Sequence, residues 1–409
     1  MIDFNKIEVS EKEKNILNIL DEIAKAAEIS TSEIAKATGL SYPTISRVLK
    51  ILKSKGMVLK TGEEETNIGR RPEKVSLNKG FGCLIHLMIK ENAIIGYLSD
   101  LKGEIIYKTH KNFLGKITLN SLLENILAVY QSLTGSGRVQ NRKFMAVSVS
   151  IPGIVNEQER KVFRLPSAFG FREASLFDDI QGLLKVPVII YNSSMLMAMG
   201  QYIKGSASPE NLVFINSDES FGIGAGIVME GKLLRGANNF AGEIGYIYYS
   251  PENFNDTASD AIGMLEKAAG LRSLYERITE MYLTGQSRIL NSLVPDSKEI
   301  NISVIEKAAR MGDREVERVL DEILKIWAIA IINIYLTINP QTVVIGGAVS
   351  SENTYILDKL ESLVIKALFF KPHIILNDLG ELAEVIGGLH LLMNFVFNTI
   401  ILNEAIKEE

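Results

Sequence analysis

Residues 222–245 read GIGAGIVMEGKLLRGANNFAGEIG, and this glycine-rich stretch decides the fold class of the chain. Its apolar run at 224–229 predicts a strand bounded by glycine-containing turns. Outward from it, turns or helical stretches separate further apolar runs at 83–89, 93–98, 104–107, 144–151, 186–191, 212–215 and 342–345. A β-meander followed by alternating helices and strands predicts a mixed α/β domain.

The composition describes a folded protein of more than one domain. The chain has 409 residues, of which 46% are hydrophobic and 23% charged, and this length predicts two or three domains. The formal net charge of -5 excludes a basic field over the whole protein, so a nucleic-acid site must be a local patch. The single cysteine, Cys83, excludes an internal disulfide and a cysteine-rich zinc site.

The chain offers no signal for secretion or membrane insertion. Met1 is followed by polar residues, unlike the start of a signal peptide. The longest apolar stretches, at 326–338 and 388–402, are shorter than a membrane span and are typical of buried helices. We therefore expect a cytoplasmic protein without a membrane partner.

Residues 11–60 predict three helices. The first carries apolar residues at helical spacing up to Ala27. The second starts with the capping-box pair Ser30 and Glu33 and ends at Gly39, and the third starts at Ser41. Strands predicted at 57–60 and 74–77, joined by a polar turn at 62–67, complete a winged helix-turn-helix.

The third helix carries the candidate DNA-reading residues opposite its apolar stripe. They are Tyr42, Pro43, Thr44, Ser46, Arg47 and Lys50. Side chains near the start of a recognition helix contact base edges, so Tyr42, Thr44, Ser46 and Arg47 suit base reading, whereas Lys50 and Lys53 suit phosphates. Residues 41–60 contain five Lys or Arg and no Asp or Glu, although a solvated helix face with no DNA contact would look the same.

A second basic segment follows the predicted wing. Gly69-Arg70-Arg71-Pro72 is thin enough to lie in a narrow minor groove, where the enhanced negative potential favours arginine. It is also typical of a hinge between domains, and both roles are compatible.

The motifs GIGAG at 222–226, GKLLRG at 231–236 and AGEIG at 241–245 together resemble the ROK family, named for repressors, open reading frames and kinases. Ile151-Pro152-Gly153 and Gly346-Gly347 also fit, and the resemblance covers nearly the whole chain. The Gly-Arg-Arg-Pro linker and the pair Leu77-Asn78 resemble the regulator branch, which includes xylose and N-acetylglucosamine repressors.

The resemblance implies a domain plan. A mostly α-helical winged helix-turn-helix occupies residues 1–77, with its linker at 69–72. A two-lobed α/β sugar-kinase-like domain of the actin/hexokinase type follows, with ribonuclease-H-like lobes at 78–191 and 192–409. The C-terminal helix is free to pack back on the first lobe.

Two departures from the family kinases argue against phosphoryl transfer. The segment 85–90, aligned with their phosphate loop, has no glycine to let the backbone approach a phosphate. Their catalytic Asp follows an Asn, but here Ser193 follows Asn192, and a serine alone is not a general base. From these two departures we expect no enzyme, no catalytic residue and no cofactor. Tyr246 replaces a zinc-binding His of the family, so we also expect no metal.

Part of the family's sugar site is kept by position. Asn192, Glu243 and Glu266 match sugar contacts, since carboxylates and amides pair with vicinal hydroxyls. Tyr246 and Ser167 stand where the family has His and Asn. A modified sugar or other polyol is therefore as plausible as a hexose, and a purely structural role for both glutamates is the alternative.

These observations predict a repressor that binds double-stranded operator DNA as a homodimer or dimer of dimers and is controlled by a carbohydrate effector. Two recognition helices about 34 Å apart require two-fold symmetry. Two alternatives remain at this point: an active ROK sugar kinase with an appended DNA-binding domain, and a DNA-binding protein that is ligand-independent or partner-controlled.

Overall fold

The computed structural model describes residues 10–63, 72–113, 115–139, 142–165, 169–207, 209–220, 222–252 and 262–403. The predicted linker arginines Arg70 and Arg71, the turn residue Ser167 and most of the wing turn lie outside these ranges.

The N-terminal part is a small helical domain with a three-stranded sheet of order β1-β3-β2. Its elements are α1 (Glu11–Lys25), β1 (Ile29–Ser30), α2 (Thr31–Thr38), α3 (Tyr42–Ser54), β2 (Val58–Glu63) and β3 (Glu73–Leu77). The predicted helix starts are confirmed: Ser30 and Glu33 form the capping box of α2, and Ser41 caps α3. Gly39 ends α2 in a left-handed conformation with φ 69°.

The first helix is shorter than the apolar pattern predicts. The backbone becomes extended at Ala26, so α1 ends at Lys25 and Ala27 is exposed, contrary to its assignment to the helix. The reason is tertiary: the Lys102 Nζ donates hydrogen bonds to the carbonyl oxygens of Ala26 and Ala27, 2.7 and 2.9 Å long. These bonds stabilise the end of α1 against the following domain.

The first α/β unit is a five-stranded sheet of order β11-β7-β4-β5-β6. Its strands are β4 (Gly82–Ile89), β5 (Ala93–Asp100), β6 (Ile105–Asn112), β7 (Lys143–Ile151) and β11 (Val188–Asn192). A small sheet of β8 (Ile154–Asn156), β9 (Lys161–Phe163) and β10 (Glu173–Ala174) lies beside it, and the helices of the unit are α4 (Leu119–Thr134) and α5 (Leu176–Leu184). β4 is buried along its whole length because it pairs on both sides and is covered on both faces.

The second unit repeats the same topology, with strand order β14-β13-β12-β15-β16. Its strands are β12 (Asn211–Asp218), β13 (Gly222–Met229), β14 (Lys232–Leu233), β15 (Thr342–Gly347) and β16 (Ile374–Leu376). In both sheets a three-stranded antiparallel meander is extended by two parallel strands on the side of its first strand. The predicted two-lobed architecture is therefore confirmed as a duplicated sheet.

Helices surround the second sheet and fill the space between the sheets. They are α6 (Ser193–Lys204), α7 (Met264–Ala269), α8 (Leu271–Leu283), α9 (Arg288–Leu293), α10 (Ile302–Arg310), α11 (Arg314–Thr337), α12 (Thr354–Val364) and α13 (Leu382–Phe395). The single tryptophan, Trp327 of α11, is buried and donates a 2.8 Å hydrogen bond to the Ala269 carbonyl oxygen at the end of α7.

The C-terminal helix links the parts of the molecule. α13 packs on α6 and on β4 and β7 of the first sheet, and the π-helical turn Val396–Ile401 that continues it contacts α1. Side chains at Gly200 and Gly387 would overlap carbonyl oxygens of the opposite helix, so glycine permits the close contact of α6 and α13. Among the described residues, one segment, Leu382–Thr399, matches a membrane span in length and composition, but half of it is buried within the protein.

Candidate functional site

The apolar face of the recognition helix is buried and its opposite face is exposed. Ile45, Val48, Leu49 and Leu52 are at most 4% exposed, as the sequence predicted. Tyr42 is 57% exposed, and Pro43, Ser46, Arg47 and Lys50 are exposed as well. Thr44 is half-buried, and its hydroxyl shares a 2.9 Å hydrogen bond with Ser41, the helix cap. The face is thus accessible to DNA, whereas the Thr44 hydroxyl is already hydrogen-bonded to the helix cap.

One predicted phosphate contact has another partner. The Lys53 Nζ lies 2.8 Å from both carboxylate oxygens of Glu73, the first residue of β3. This ion pair joins α3 to the wing, and a phosphate would compete with Glu73 for the Lys53 ammonium group, so the assignment of Lys53 to phosphate binding stays a prediction. By contrast, Arg47 and Lys50 have no ion pair with any described residue.

The N-terminal domain contacts the first α/β unit through hydrogen bonds and a shared apolar cluster. Besides the bonds from Lys102, the Asn78 side chain donates a 2.7 Å hydrogen bond to the Gly56 carbonyl oxygen. Buried residues of α1, α3 and the wing form one apolar cluster with residues of β4, β7 and α13. The position of α3 is therefore coupled to the packing of α13.

Asn192 ends β11 and caps α6. Its carboxamide oxygen accepts a hydrogen bond from the Ser194 N–H, and its Nδ2 donates one to the Gly153 carbonyl oxygen, each 2.8 Å long. Much of its hydrogen-bonding capacity is thus already used, and one amide hydrogen and one oxygen lone pair remain. The next residue, Ser193, is buried in the first turn of α6 and has a hydroxyl where an Asp would have a carboxylate.

The two predicted glutamates lie together between the lobes. Glu243 precedes the 3-10 turn Ile244–Tyr246, and Glu266 lies in the first turn of α7. Burial raises the pKa of each carboxyl to about 7; Arg164 opposes the effect at Glu243, and the Ile223 N–H opposes it by donating a hydrogen bond to Glu266. A Cβ at Gly222 would overlap the Glu266 carboxylate, so glycine at 222 makes room for that group.

Two arginines that the sequence analysis missed span the cleft. Arg164, which follows β9, places its guanidinium over the rings of Tyr246 and Phe240, 5.5 and 5.9 Å from their centroids. Arg235, which follows β14, contacts Glu157 at 2.7 Å and the Tyr191 hydroxyl at 3.2 Å. Arg235 lies within the GKLLRG motif, which could have drawn attention to it, but the partners of both arginines are distant in sequence.

The segment 85–90, which the sequence analysis aligned with the phosphate loop of the family kinases, carries polar side chains with buried partners. At the end of β4, the Lys90 Nζ lies 2.8 Å from a carboxylate oxygen of the buried Glu384 of α13, and the Ser150 hydroxyl donates to the other oxygen. His86 Nδ1 shares a 3.0 Å hydrogen bond with the Ser148 hydroxyl. Burial lowers the pKa of His86 to about 3, so its ring is neutral at physiological pH.

Comparison with known proteins gives matches to both parts of the chain. A sequence model of the ROK family matches residues 91–393, and one described as winged helix-turn-helix DNA-binding matches residues 12–58. A xylose repressor of Caldicellulosiruptor bescii is 27% identical over 391 residues, covering 94% of this chain and 96% of the relative. The N-acetylglucosamine repressor of Escherichia coli O157:H7 is 24% identical over 390 residues, covering 93% and 92%.

Solved structures also match the fold of this chain. The structure of a ROK family transcriptional regulator, a homolog of the Escherichia coli MLC protein, has a TM-score of 0.81 at 20% identity and covers 97% of this chain and 99% of its own. A ROK family glucokinase from Streptomyces griseus, solved with glucose and AMPPNP, has a TM-score of 0.62 at 22% identity and covers 76% and 99%. The kinase matches over the smaller share of the chain and the regulator over nearly all of it.

Proposed function

Since the chain belongs to the ROK family, we propose that it is a sequence-specific transcriptional repressor that releases operator DNA when a carbohydrate binds between its α/β lobes. The observation that carries the proposal is the exposed face of α3, where Arg47 and Lys50 have no ion pair with any described residue. Exposed Lys and Arg side chains on such a face can neutralise DNA phosphates, which provides the sequence-independent part of the affinity for DNA. The curated relatives named as repressors support the same conclusion.

The proposed DNA contacts follow from exposure. Tyr42, Pro43, Ser46 and Arg47 face outward near the start of α3 and are assigned to base edges, with Thr44 in a supporting position beside the cap. Lys50, one turn further along, is assigned to a phosphate. Arg70 and Arg71 remain assigned to the minor groove from the sequence alone.

The proposed effector site is formed by Glu243, Glu266, Tyr246 and the remaining amide hydrogen of Asn192. Paired carboxylates suit the vicinal hydroxyls of a carbohydrate. Asn192 caps α6, α6 packs on α13, and the turn after α13 contacts α1. Packed helices therefore connect the effector site to α3. A ligand that binds more tightly to one arrangement of the lobes shifts the protein towards it, and the ratio of its two affinities sets how much DNA binding changes.

We further propose that the α/β units have no kinase activity, that the protein is a homodimer or dimer of dimers, and that it acts in the cytoplasm. Ser193 follows Asn192 where the family kinases have their base, and the Lys90–Glu384 pair lies in the segment aligned with their phosphate loop. Two-fold symmetry would place two copies of α3 at half-sites about one helical turn apart. Light scattering of the purified chain, alone and with an operator duplex, measures the stoichiometry.

The test is fluorescence anisotropy of the full chain on DNA from upstream of its own gene, with scrambled competitor and a panel of carbohydrates. Arg47→Ala should weaken specific binding by about tenfold or more and relax the sequence preference, because a bidentate base contact contributes about 1–3 kcal/mol. Arg138→Ala is the matched control, since Arg138 is exposed on the first α/β unit, over Tyr107. Equal affinity and preference for Arg47→Ala and Arg138→Ala would refute the assignment of α3.

A further inference from the structure

An ion pair joins the two α/β units beside the cleft. Arg235, which follows β14 of the second unit, has its Nη1 2.7 Å from a carboxylate oxygen of Glu157, which follows β8 of the first unit. Its Nη2 donates a 3.2 Å hydrogen bond to the hydroxyl of Tyr191 in β11, and its guanidinium lies 5.3 Å from the centroid of that ring. The Tyr191 hydroxyl is also hydrogen-bonded to Glu157. One side chain of the second unit is therefore held by two side chains of the first.

The residues after Arg235 lead directly to the candidate effector site. The segment 235–246, here called the strap, contains both Glu243 and Tyr246. Near the other end of the strap, Arg164 of the first unit lies 5.5 Å from the centroid of the Tyr246 ring and interacts electrostatically with Glu243. The strap thus contacts the first unit near both of its ends, once through its own arginine and once through an arginine of the first unit.

A contact of the same geometry lies entirely within the first unit. Arg160, between β8 and β9, pairs with Asp178 of α5 at 2.7 Å and lies 5.2 Å from the centroid of the Phe177 ring. Arg235 makes the same kind of contact between two units that have separate sheets. A pair within one unit stabilises that unit alone, whereas a pair between two units also restrains how far apart they lie.

We propose that Arg235 is an interlobe latch, which holds the two α/β units in the arrangement of this structure through Glu157 and Tyr191 and thereby keeps the strap in position beside the cleft. The side chains of Arg235 and Glu157 are 36% and 31% exposed, so water can reach the pair and replace its contacts when the units separate. Charge-assisted hydrogen bonds favour the closed arrangement before any ligand enters the cleft. The latch needs neither DNA nor a carbohydrate, so it is tested separately from the proposed function.

The experiment measures the distance between the two units in the full chain by pulsed electron paramagnetic resonance. The single cysteine, Cys83, is buried, so nitroxide labels are attached at Glu124→Cys on α4 and Glu276→Cys on α8, two exposed positions. An excess of unlabelled chain suppresses distances between copies. We expect Arg235→Gln to raise the ratio of a longer to the shorter distance by about tenfold, because a partly exposed charged pair makes a modest contribution to closure.

Further variants separate a latch from a general loss of packing. Glu157→Gln should open the units as far as Arg235→Gln does, and the double variant should open them no further, because both changes remove the same interaction. Arg235→Glu should open them more, since two carboxylates then face each other, and adding Glu157→Arg should restore the short distance. Arg160→Gln is the matched control and should leave the distance unchanged, because its partner lies in the same unit.

The proposal is overturned if Arg235→Gln and Arg160→Gln give the same distances, or if the charge-exchanged double variant stays as open as Arg235→Glu. Operator anisotropy on the same variants is a second readout, which rests on the proposed function. An opened variant that binds the operator as tightly as the parent would leave the latch intact and would refute only the coupling between the cleft and α3.

Discussion

Replacing Glu266 with glutamine should stabilise the protein at alkaline pH and leave its stability at acidic pH nearly unchanged. Burial raises the pKa of the Glu266 carboxyl from its ordinary value of 4.5 to about 7, so the folded state binds its proton more tightly than the unfolded state does. Stability from this group is fully present below pH 4.5, decreases as the pH rises towards 7, and is absent above it. The amide of glutamine carries no charge at any of these values.

The magnitude follows from the size of the pKa change. If the whole pKa difference between the folded and unfolded states contributed, it would correspond to about 3 kcal/mol in the free energy of unfolding. Glu266 is only partly buried, and its repulsion with Glu243 contributes to its raised pKa, so we expect about 1–2 kcal/mol after solvent screening. Glutamine can still accept the hydrogen bond from the Ile223 N–H, so the exchange removes the charge with little change in shape.

The assay is urea unfolding at pH 5 and pH 8, followed by the fluorescence of Trp327. The difference between wild type and Glu266→Gln should be no more than about a quarter of its full size at pH 5 and should favour the variant by about 1–2 kcal/mol at pH 8. His86 also titrates on unfolding, but it is present in both proteins and cancels from the difference. Glu276→Gln, at an exposed position of α8, measures the effect of an amide away from the site. A pH-independent difference between wild type and Glu266→Gln would refute the reasoning.

Three further predictions concern DNA binding, packing and catalysis. Lys50→Ala should weaken binding to specific and scrambled DNA alike and reduce the salt dependence of the affinity by about one phosphate contact, as measured by anisotropy from 50 to 200 mM salt; an unchanged slope would contradict the assignment. Gly387→Ala should destabilise the protein by about 1–3 kcal/mol in urea unfolding, because the new methyl would overlap the Leu196 carbonyl oxygen. Gly182→Ala, which meets open space in α5, is its control, and equal effects of the two would argue against the close contact of α6 and α13. Ser193→Asp should not create sugar-dependent ATP consumption in a coupled assay, because the Lys90–Glu384 pair remains in place of a phosphate loop; turnover in this variant would show that the phosphate region is functional.

The sequence was sufficient for features that depend on neighbouring residues. Ser30, Glu33 and Gly39 fixed the bounds of α2 because capping bonds and a left-handed glycine act within one helical turn. The apolar stripe of α3 predicted its buried face. The apolar runs predicted eight of the ten strands in the two five-stranded sheets, although β6 extends well beyond its run, and they missed the short edge strands β14 and β16. The retained motifs around Gly222 and Glu243 indicated the family, since such motifs hold specific backbone turns.

Tertiary structure decided what depends on residues far apart in the chain. Lys53 pairs with Glu73 of the wing, and Arg164 crosses to Tyr246. Lys102 bonds to the carbonyl groups of Ala26 and Ala27, directly after the end of α1. The packing of α13 on α6, and of the turn after α13 on α1, likewise joins residues that are far apart in the chain. Each of these contacts depends on how the elements are arranged in space. A capping box or a repeat of apolar residues reports only on its own helix or strand, so it does not identify the distant side chain that will pack there.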